Sequence, residues 1–286
     1  KAMDATAAVK SVLTRLNDTA KIIVLTNGAL AVREELQEML DEEIHASSSP
    51  SSTCSDGIEC VVATTTHGAY RGEKQPSSTP TGKIKSTNNN YDNDEYSYQV
   101  IHAGNGHLWI PDTCTEVASM LQMSNELNCT RIPANEMEYI LWEKLTANCV
   151  INPLTTLRQC KNGLLKDGRD EEVMHGITKE CAQVALMRNM LQCNVDCDEN
   201  DVLSLQDRFS HESLRSFVDQ VIDDTLENKS SMLQDLESGR ETEISYLNGF
   251  VSRMGKEYDI PTPENDGMCS MVDVFSKLSR RYEHKG

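Results

Sequence analysis

Lys144, Asn148 and Asn152 are spaced by four and four within Glu143-Lys-Leu-Thr-Ala-Asn-Cys-Val-Ile-Asn-Pro-Leu154. At 3.6 residues per turn, that spacing stacks one amine and two amides along a single helical stripe. The apolar residues between Met137 and Trp142 continue through Leu145, Cys149 and Val150. The segment therefore reads as one helix, and Pro153 is expected to break it. A polar stripe on an otherwise buried helix is costly unless something binds it. The bland alternative is a solvated face in which Asn152 ends the helix ahead of the proline.

Two further groups could complete a site. Ser230 and Ser231, in Asn228-Lys-Ser-Ser-Met-Leu-Gln-Asp235, can donate to a carboxylate without filling its space, although alone they read as helix-surface serines. Glu243 follows Ser238-Gly-Arg-Glu-Thr and on its own reads as an acid in the first turn of a helix. A buried lysine beside a carboxylate and amides suits polarisation and protonation of a carbonyl during hydride transfer. Burial would lower the lysine pKa, toward about 7 to 8 in tuned catalytic lysines, and a nearby Glu would raise it again.

Such a site needs elements to hold it. A helical period over Thr6–Leu16 precedes an apolar strand, Lys21–Thr26, then Asn27-Gly28 and a second helix from about Leu30 to Leu40. This is the rhythm of a parallel α/β sheet, whose ligands bind beyond the carboxyl ends of strands. Asn27 stands at such an end, although a plain turn asparagine would look the same. A strand resumes over Cys60–Thr65, and Tyr98–His102 and His107–Ile110 bracket Ala103-Gly-Asn-Gly106 as a hairpin. Polar stretches at about 45–57 and 72–96 read as surface insertions. Gly104 and Gly106 begin a GxG pattern, but Trp109 stands at the third position and no helix follows, so no phosphate loop is expected there.

Thr115–Leu127 is expected to be helical, and Arg131–Ala134 to cross into a second, helical domain. Periodic segments in that domain are Met137–Ile151, Glu172–Leu191, Glu212–Leu236, Glu243–Tyr258 and Met268–Arg281. Thr262-Pro-Glu264 supplies a helix start to the last of them. The fold class is thus α/β plus all-α: a partial Rossmann-like dinucleotide-binding domain over 1–132, followed by a helical substrate and catalytic domain over 133–286.

A chain of 286 residues can hold two such domains. Its formal charge of −18 argues against nucleic acid or anionic membrane as a partner, and no apolar run is long enough to span a membrane. The ten cysteines, several of them within apolar helical patterns, read as reduced thiols of an intracellular protein. Cys193 and Cys197 find no second ligand pair of metal spacing, so no metal is expected.

The order of separated motifs resembles the ketopantoate reductases, also called 2-dehydropantoate 2-reductases. The likeness is carried by residues 142–155, Asn162-Gly163, Glu227–Asp235, Arg240–Gly249 and Pro263-Glu-Asn265. It implies NADPH-dependent reduction of 2-dehydropantoate to pantoate on the way to pantothenate and coenzyme A. Lys144 would be the general acid, with Glu243 close to it and to the cofactor ribose. Asn148, Asn152, Asn162 and Ser231 would line the substrate pocket, and Lys1, Asn27 and Ala69 would contact the cofactor. A cytoplasmic enzyme with a small-molecule substrate follows, and the helical domain offers faces for a homodimer.

Members of that family open with a strand, a GxGxxG turn and a helix, which these 286 residues do not contain. Roughly two βαβ units would precede Lys1, so the chain is expected to be a piece of a longer reductase. The alternatives are a reductase of another 2-oxo acid on the same scaffold, or a truncated remnant without activity.

Overall fold

The structure is a computed structural model that describes residues 1–17, 20–46, 58–66, 68–71, 75–76, 96–97, 100–104, 106–192 and 199–283. After α1 (Ala5–Val12), strand β1 (Lys21–Val24) pairs in parallel with β2 (Glu59–Val62), and α2 (Ala29–Ala46) lies between them in sequence. β2 runs on into β3 (Thr64–Thr65), which pairs antiparallel with β8 (Leu108–Pro111), and β8 pairs in parallel with β9 (Cys129–Ile132). α3 (Thr115–Gln122) connects β8 to β9 and covers a small core of Val61, Ala63, Ile110, Cys114 and Ala118. Between β3 and β8 lie two antiparallel ladders, β4 (Gly68–Arg71) with β7 (Val100–Gly104) and β5 (Gln75–Pro76) with β6 (Tyr96–Ser97).

Three sequence expectations change here. The strands around Ala103–Gly106 do not pair with each other: β7 pairs with β4 and β8 with β3. The glycines interrupt one leg of a long ribbon instead of turning it, because strand pairing is chosen by non-local partners. Residues 131–132, expected as a crossover, belong to strand β9 and complete a β-α-β unit with β8 and α3. The insertion expected at about 45–57 gives up its first two residues to α2, and the one at 72–96 includes β5 and the start of β6; the rest of both lies outside the described residues.

The helical part opens with α4 (Ala134–Arg158), followed by α5 (Glu171–Gln192), α6 (Glu199–Arg208), α7 (His211–Asp224), α8 (Ser231–Glu237), α9 (Asn248–Glu257) and α10 (Pro263–Glu283). Its core includes the fully buried Trp142 and Phe250, and it is continuous with α2 through Leu30, Leu36 and Leu40. Each such side chain contributes roughly 1.5–3 kcal/mol by leaving water.

Pro153 does not end α4, which continues to Arg158. Proline has no N–H to donate to the carbonyl four residues back, here that of Cys149. The side-chain amide of Asn248, at the start of α9, donates to that carbonyl instead, at 3.0 Å. The same Nδ2 also donates to Asn265 Oδ1 at 2.9 Å, and Asn265 donates through its backbone and side-chain nitrogens to Glu180 of α5. Glu180 further accepts the N–H of Glu264 and so caps α10 from outside its own sequence. Burial pushes the Glu180 carboxyl above its ordinary range even against these donors.

A second departure is the break in the expected helix 212–236. It divides into α7 and α8, with Ser230 as N-cap of α8 accepting from the Leu233 N–H at 3.2 Å. Residues 226 and 228 between them accept backbone hydrogen bonds from Gly163 and Asn162, both at 3.0 Å. A Cβ on Gly163 would lie 3.0 Å from the Leu226 carbonyl oxygen, so the close approach depends on glycine there.

The two parts are joined by charge as well as by core. Arg33 of α2 grips Glu138 of α4 through two hydrogen bonds of 3.1 and 3.3 Å, and the buried Arg188 of α5 pairs with Glu34 while its Nε stands 3.6 Å from Glu138. Asn248→Ala, which leaves two buried acceptors without their donor, should lower stability by about 2–4 kcal/mol in urea unfolding. A change near zero would show that the Cys149 carbonyl does not depend on Asn248.

Candidate active site

The turn after β1 and the middle of α4 face each other across a narrow cleft. Thr26, Asn27 and Gly28 form one side, Leu141, Lys144, Leu145 and Asn148 the other, and Thr64 of β3 also lines it. The sequence foresaw two of these polar groups on one helical stripe and one at the carboxyl end of a strand, and the fold brings all three together.

Lys144 donates hydrogen bonds to Thr64 Oγ1 and to the Thr65 carbonyl, both at 3.0 Å. Burial holds its pKa below the ordinary 10.5, and among the described residues no carboxylate offsets that shift. Glu243, expected to raise it, is instead turned toward the N-terminal part of the chain. Its Oε1 accepts from the Ala2 N–H at 2.9 Å and its Oε2 from Asn27 Nδ2 at 3.4 Å. Nor does Glu243 stand in the first turn of a long helix; it precedes a single 3-10 turn, Ile244–Tyr246, and α9 begins only at Asn248. A buried carboxylate thus orients the Asn27 amide at the edge of the cleft.

Gly28 explains how closely the turn approaches the helical part. Its φ is +63°, and an added Cβ would lie 2.7 Å from both the Cβ and the carbonyl oxygen of Tyr246. The first N–H groups of α2 follow at once, which gives this end of the helix a partial positive charge.

Asn152 is buried one turn beyond Asn148, and at 1.5 Å per residue it stands about 12 Å from Lys144 along α4. Thr155, in the same turn, donates to Ser230 Oγ at 2.7 Å. Asn162 is buried and donates to Thr225 Oγ1 at 2.9 Å, while its Oδ1 accepts no hydrogen bond from the described residues. Ser231 is exposed at the first position of α8, and Ser230, not Ser231, is the buried member of the pair. Asn152, Asn162 and the two serines therefore belong to a polar region beyond the cleft, not to its lining. Lys1 is also away from the lining: its ammonium pairs with Asp235 at 2.5 Å and donates to the Glu241 carbonyl. Ala69 lies in β4, opposite His102.

Sequence reasoning missed Thr64, whose place in a Thr64-Thr-Thr66 run carries no local sign of a lysine partner 80 positions away. It also missed the buried relay of Asn248, Asn265 and Glu180, although the Pro153 that requires it was in plain view. Cys193 and Cys197 lie outside the described residues, and the seven cysteines among the described residues are free thiols.

Residues 136–276, which carry Lys144, both serines and Glu243, match the C-terminal region of ketopantoate reductases of the PanE/ApbA type. Over its whole length the chain is 30% identical to a 2-dehydropantoate 2-reductase of Shigella flexneri and spans 74% of that relative. The chain belongs to the ketopantoate reductase family. Its fold is shared by the crystal structure of a PanE/ApbA family ketopantoate reductase from Ralstonia eutropha JMP134, with a TM-score of 0.62, 20% identity and coverage of 97% of this chain and 74% of that one. D-mandelate dehydrogenase, solved with NADH and anilino(oxo)acetate, is similar at a TM-score of 0.60 and 19% identity, over 98% of this chain and 75% of its own. Within this family fold, a Rossmann-like part and a helical part meet where Asn27 faces Lys144.

Gly28→Ala combines a left-handed backbone, which costs an L-residue about 1–2 kcal/mol, with a steric clash. It should lower unfolding stability by at least about 2 kcal/mol. A loss within the roughly 0.5 kcal/mol of an ordinary surface change would contradict the close approach of the turn to Tyr246.

Proposed function

We propose that this chain provides the catalytic wall of an NADPH-dependent 2-dehydropantoate reductase, with Lys144 as general acid, forming pantoate for pantothenate and coenzyme A synthesis. The observation that carries this reading is the shared cleft, where a lysine with a lowered pKa faces the Asn27-Gly28 turn at the carboxyl end of β1. In open α/β sheets that position is where dinucleotides lie. The same reading divides the chain into a cofactor part, 1–132, and a substrate part, 133–286.

The residues present fit a dinucleotide on one side. The Asn27-Gly28 turn would hold it where α2 begins, with Gly28 packed against Tyr246 and Glu243 fixing the Asn27 amide. When bound, NADPH supplies the hydride to the ketone carbon. As the carbonyl π electrons move onto oxygen, Lys144 gives that oxygen a proton from its ammonium, leaving a secondary alcohol and a neutral amine that solvent reprotonates. Asn148, one turn along the stripe, would orient the substrate. Asn152, Asn162 and Ser231 would extend the substrate wall, and the Asn162 Oδ1, buried and without a donor among the described residues, is a spare acceptor in that region. Lys1, another cofactor position of the family resemblance, pairs with Asp235 away from the cleft lining.

A second reading, reduction of a different 2-oxo acid, is favoured by the fold shared with D-mandelate dehydrogenase, because one scaffold can serve several substrates. Rates with 2-dehydropantoate and with an analogue lacking its 4-hydroxyl separate the two. Indifference to that hydroxyl would favour the broader reading.

In the full-length protein, Lys144→Ala should cut turnover by about 10²–10⁴-fold, the usual contribution of a positioned acid, with NADPH binding largely preserved. Because the protonated amine is the working form, wild-type kcat should fall as pH rises through a pKa below 10.5. Near-normal turnover in the alanine variant would remove Lys144 from the chemistry.

A further inference from the structure

We propose that Thr64 is the positioning residue of the Lys144 ammonium, holding it, together with the Thr65 carbonyl, so that one N–H remains for the substrate. This inference rests on the general-acid reading of Lys144 and specifies how that group is aimed and kept charged.

An ammonium has three donors and no acceptor. Two of those on Lys144 are engaged by Thr64 Oγ1 and the Thr65 carbonyl, both at 3.0 Å. Lysine is a flexible point charge on a four-carbon stem, so two fixed acceptors are what give it a direction. Both belong to β3, whose register is set by pairing of Thr64 with Trp109 and Thr65 with Leu108 on β8. The three consecutive threonines divide their work. Thr65 Oγ1 donates to the His107 carbonyl at 3.0 Å and Thr66 Oγ1 accepts the His107 N–H at 2.9 Å. The hydroxyls of 65 and 66 therefore fasten the strand to its neighbour, whereas the buried hydroxyl of 64 is turned to the lysine.

The same contact acts on protonation. Burial depresses the Lys144 pKa, and an acceptor bonded to the charged form opposes that depression. Other charged groups nearby face elsewhere. Glu143, next on α4, interacts with Tyr139 and Arg208; Glu243 meets Asn27 and Ala2; and the His107 ring meets Thr130. Loss of the Thr64 hydroxyl would thus act on an ammonium that no carboxylate among the described residues supports.

The test uses full-length protein carrying Thr64→Val, which keeps the shape, and Thr64→Ser, which keeps the hydroxyl. Lys144 is titrated directly by NMR with [ε-¹³C]lysine, its signal assigned by loss in Lys144→Ala, and the basic limb of the kcat profile is measured in parallel. In Thr64→Val both should move to lower pH by about one unit, a tenfold loss of proton affinity, with kcat down about tenfold at pH above the wild-type basic limb and KM little changed. Thr64→Ser should restore both. An unshifted Lys144 titration in Thr64→Val, or a serine variant as impaired as the valine variant, would overturn the assignment. The general-acid reading stands or falls separately on turnover of Lys144→Ala, and the NMR shift still decides the role of Thr64 if that reading fails.

Discussion

The carbonyl of Cys149 is the point on which the helical part depends. Pro153 removes the N–H that should bond it, and a buried carbonyl left without a donor is costly. Asn248, 99 positions away, supplies the missing donor, and α4 continues as one helix from Ala134 to Arg158. The stripe of Lys144, Asn148 and Asn152 lies on the part of α4 before Pro153, and the bond from Asn248 keeps that part continuous with residues 154–158. The relay then runs through Asn265 to Glu180, so the bond that repairs α4 also ties it to α9, α10 and α5.

The second constraint is placement of that stripe against the N-terminal part. Arg33, Glu34, Glu138 and Arg188 link α2 to α4 and α5, while Gly28 lets the β1–α2 turn approach the Tyr246 backbone. Partly buried charges of this kind define geometry more than they add net stability, because desolvation offsets much of their attraction. Their effect is a narrow cleft across which a lysine and an asparagine from distant parts of the chain face each other.

Much of this was legible in the sequence, for reasons that can be named. The four-residue spacing of Lys144, Asn148 and Asn152 is a local property of a helix, and Asn27 after an apolar strand is a local property of an α/β unit. Helix α5 was readable to within a residue at either end from its period alone. What could not be read depends on partners far along the chain: the donor that lets a helix pass through Pro153, the threonine that holds Lys144, and the choice of β3 over β7 as partner of β8. The split between α7 and α8 is intermediate. Ser230 is a good N-cap residue, but an apolar period on both sides of it hid the break. Glu243 was found as a residue and misjudged in its contact, since it orients Asn27 and not Lys144.

In the proposed reaction, the cleft between the Asn27-Gly28 turn and α4 is where a ketone meets both its hydride and its proton. The most direct measurement is a crystal structure of the full-length protein with NADP and pantoate. The C2 hydroxyl of pantoate is expected within about 2.7–3.2 Å of Lys144 Nζ, with the nicotinamide on the Asn27 side of the cleft. Pantoate bound elsewhere, or a Lys144 ammonium turned away from that hydroxyl, would contradict it.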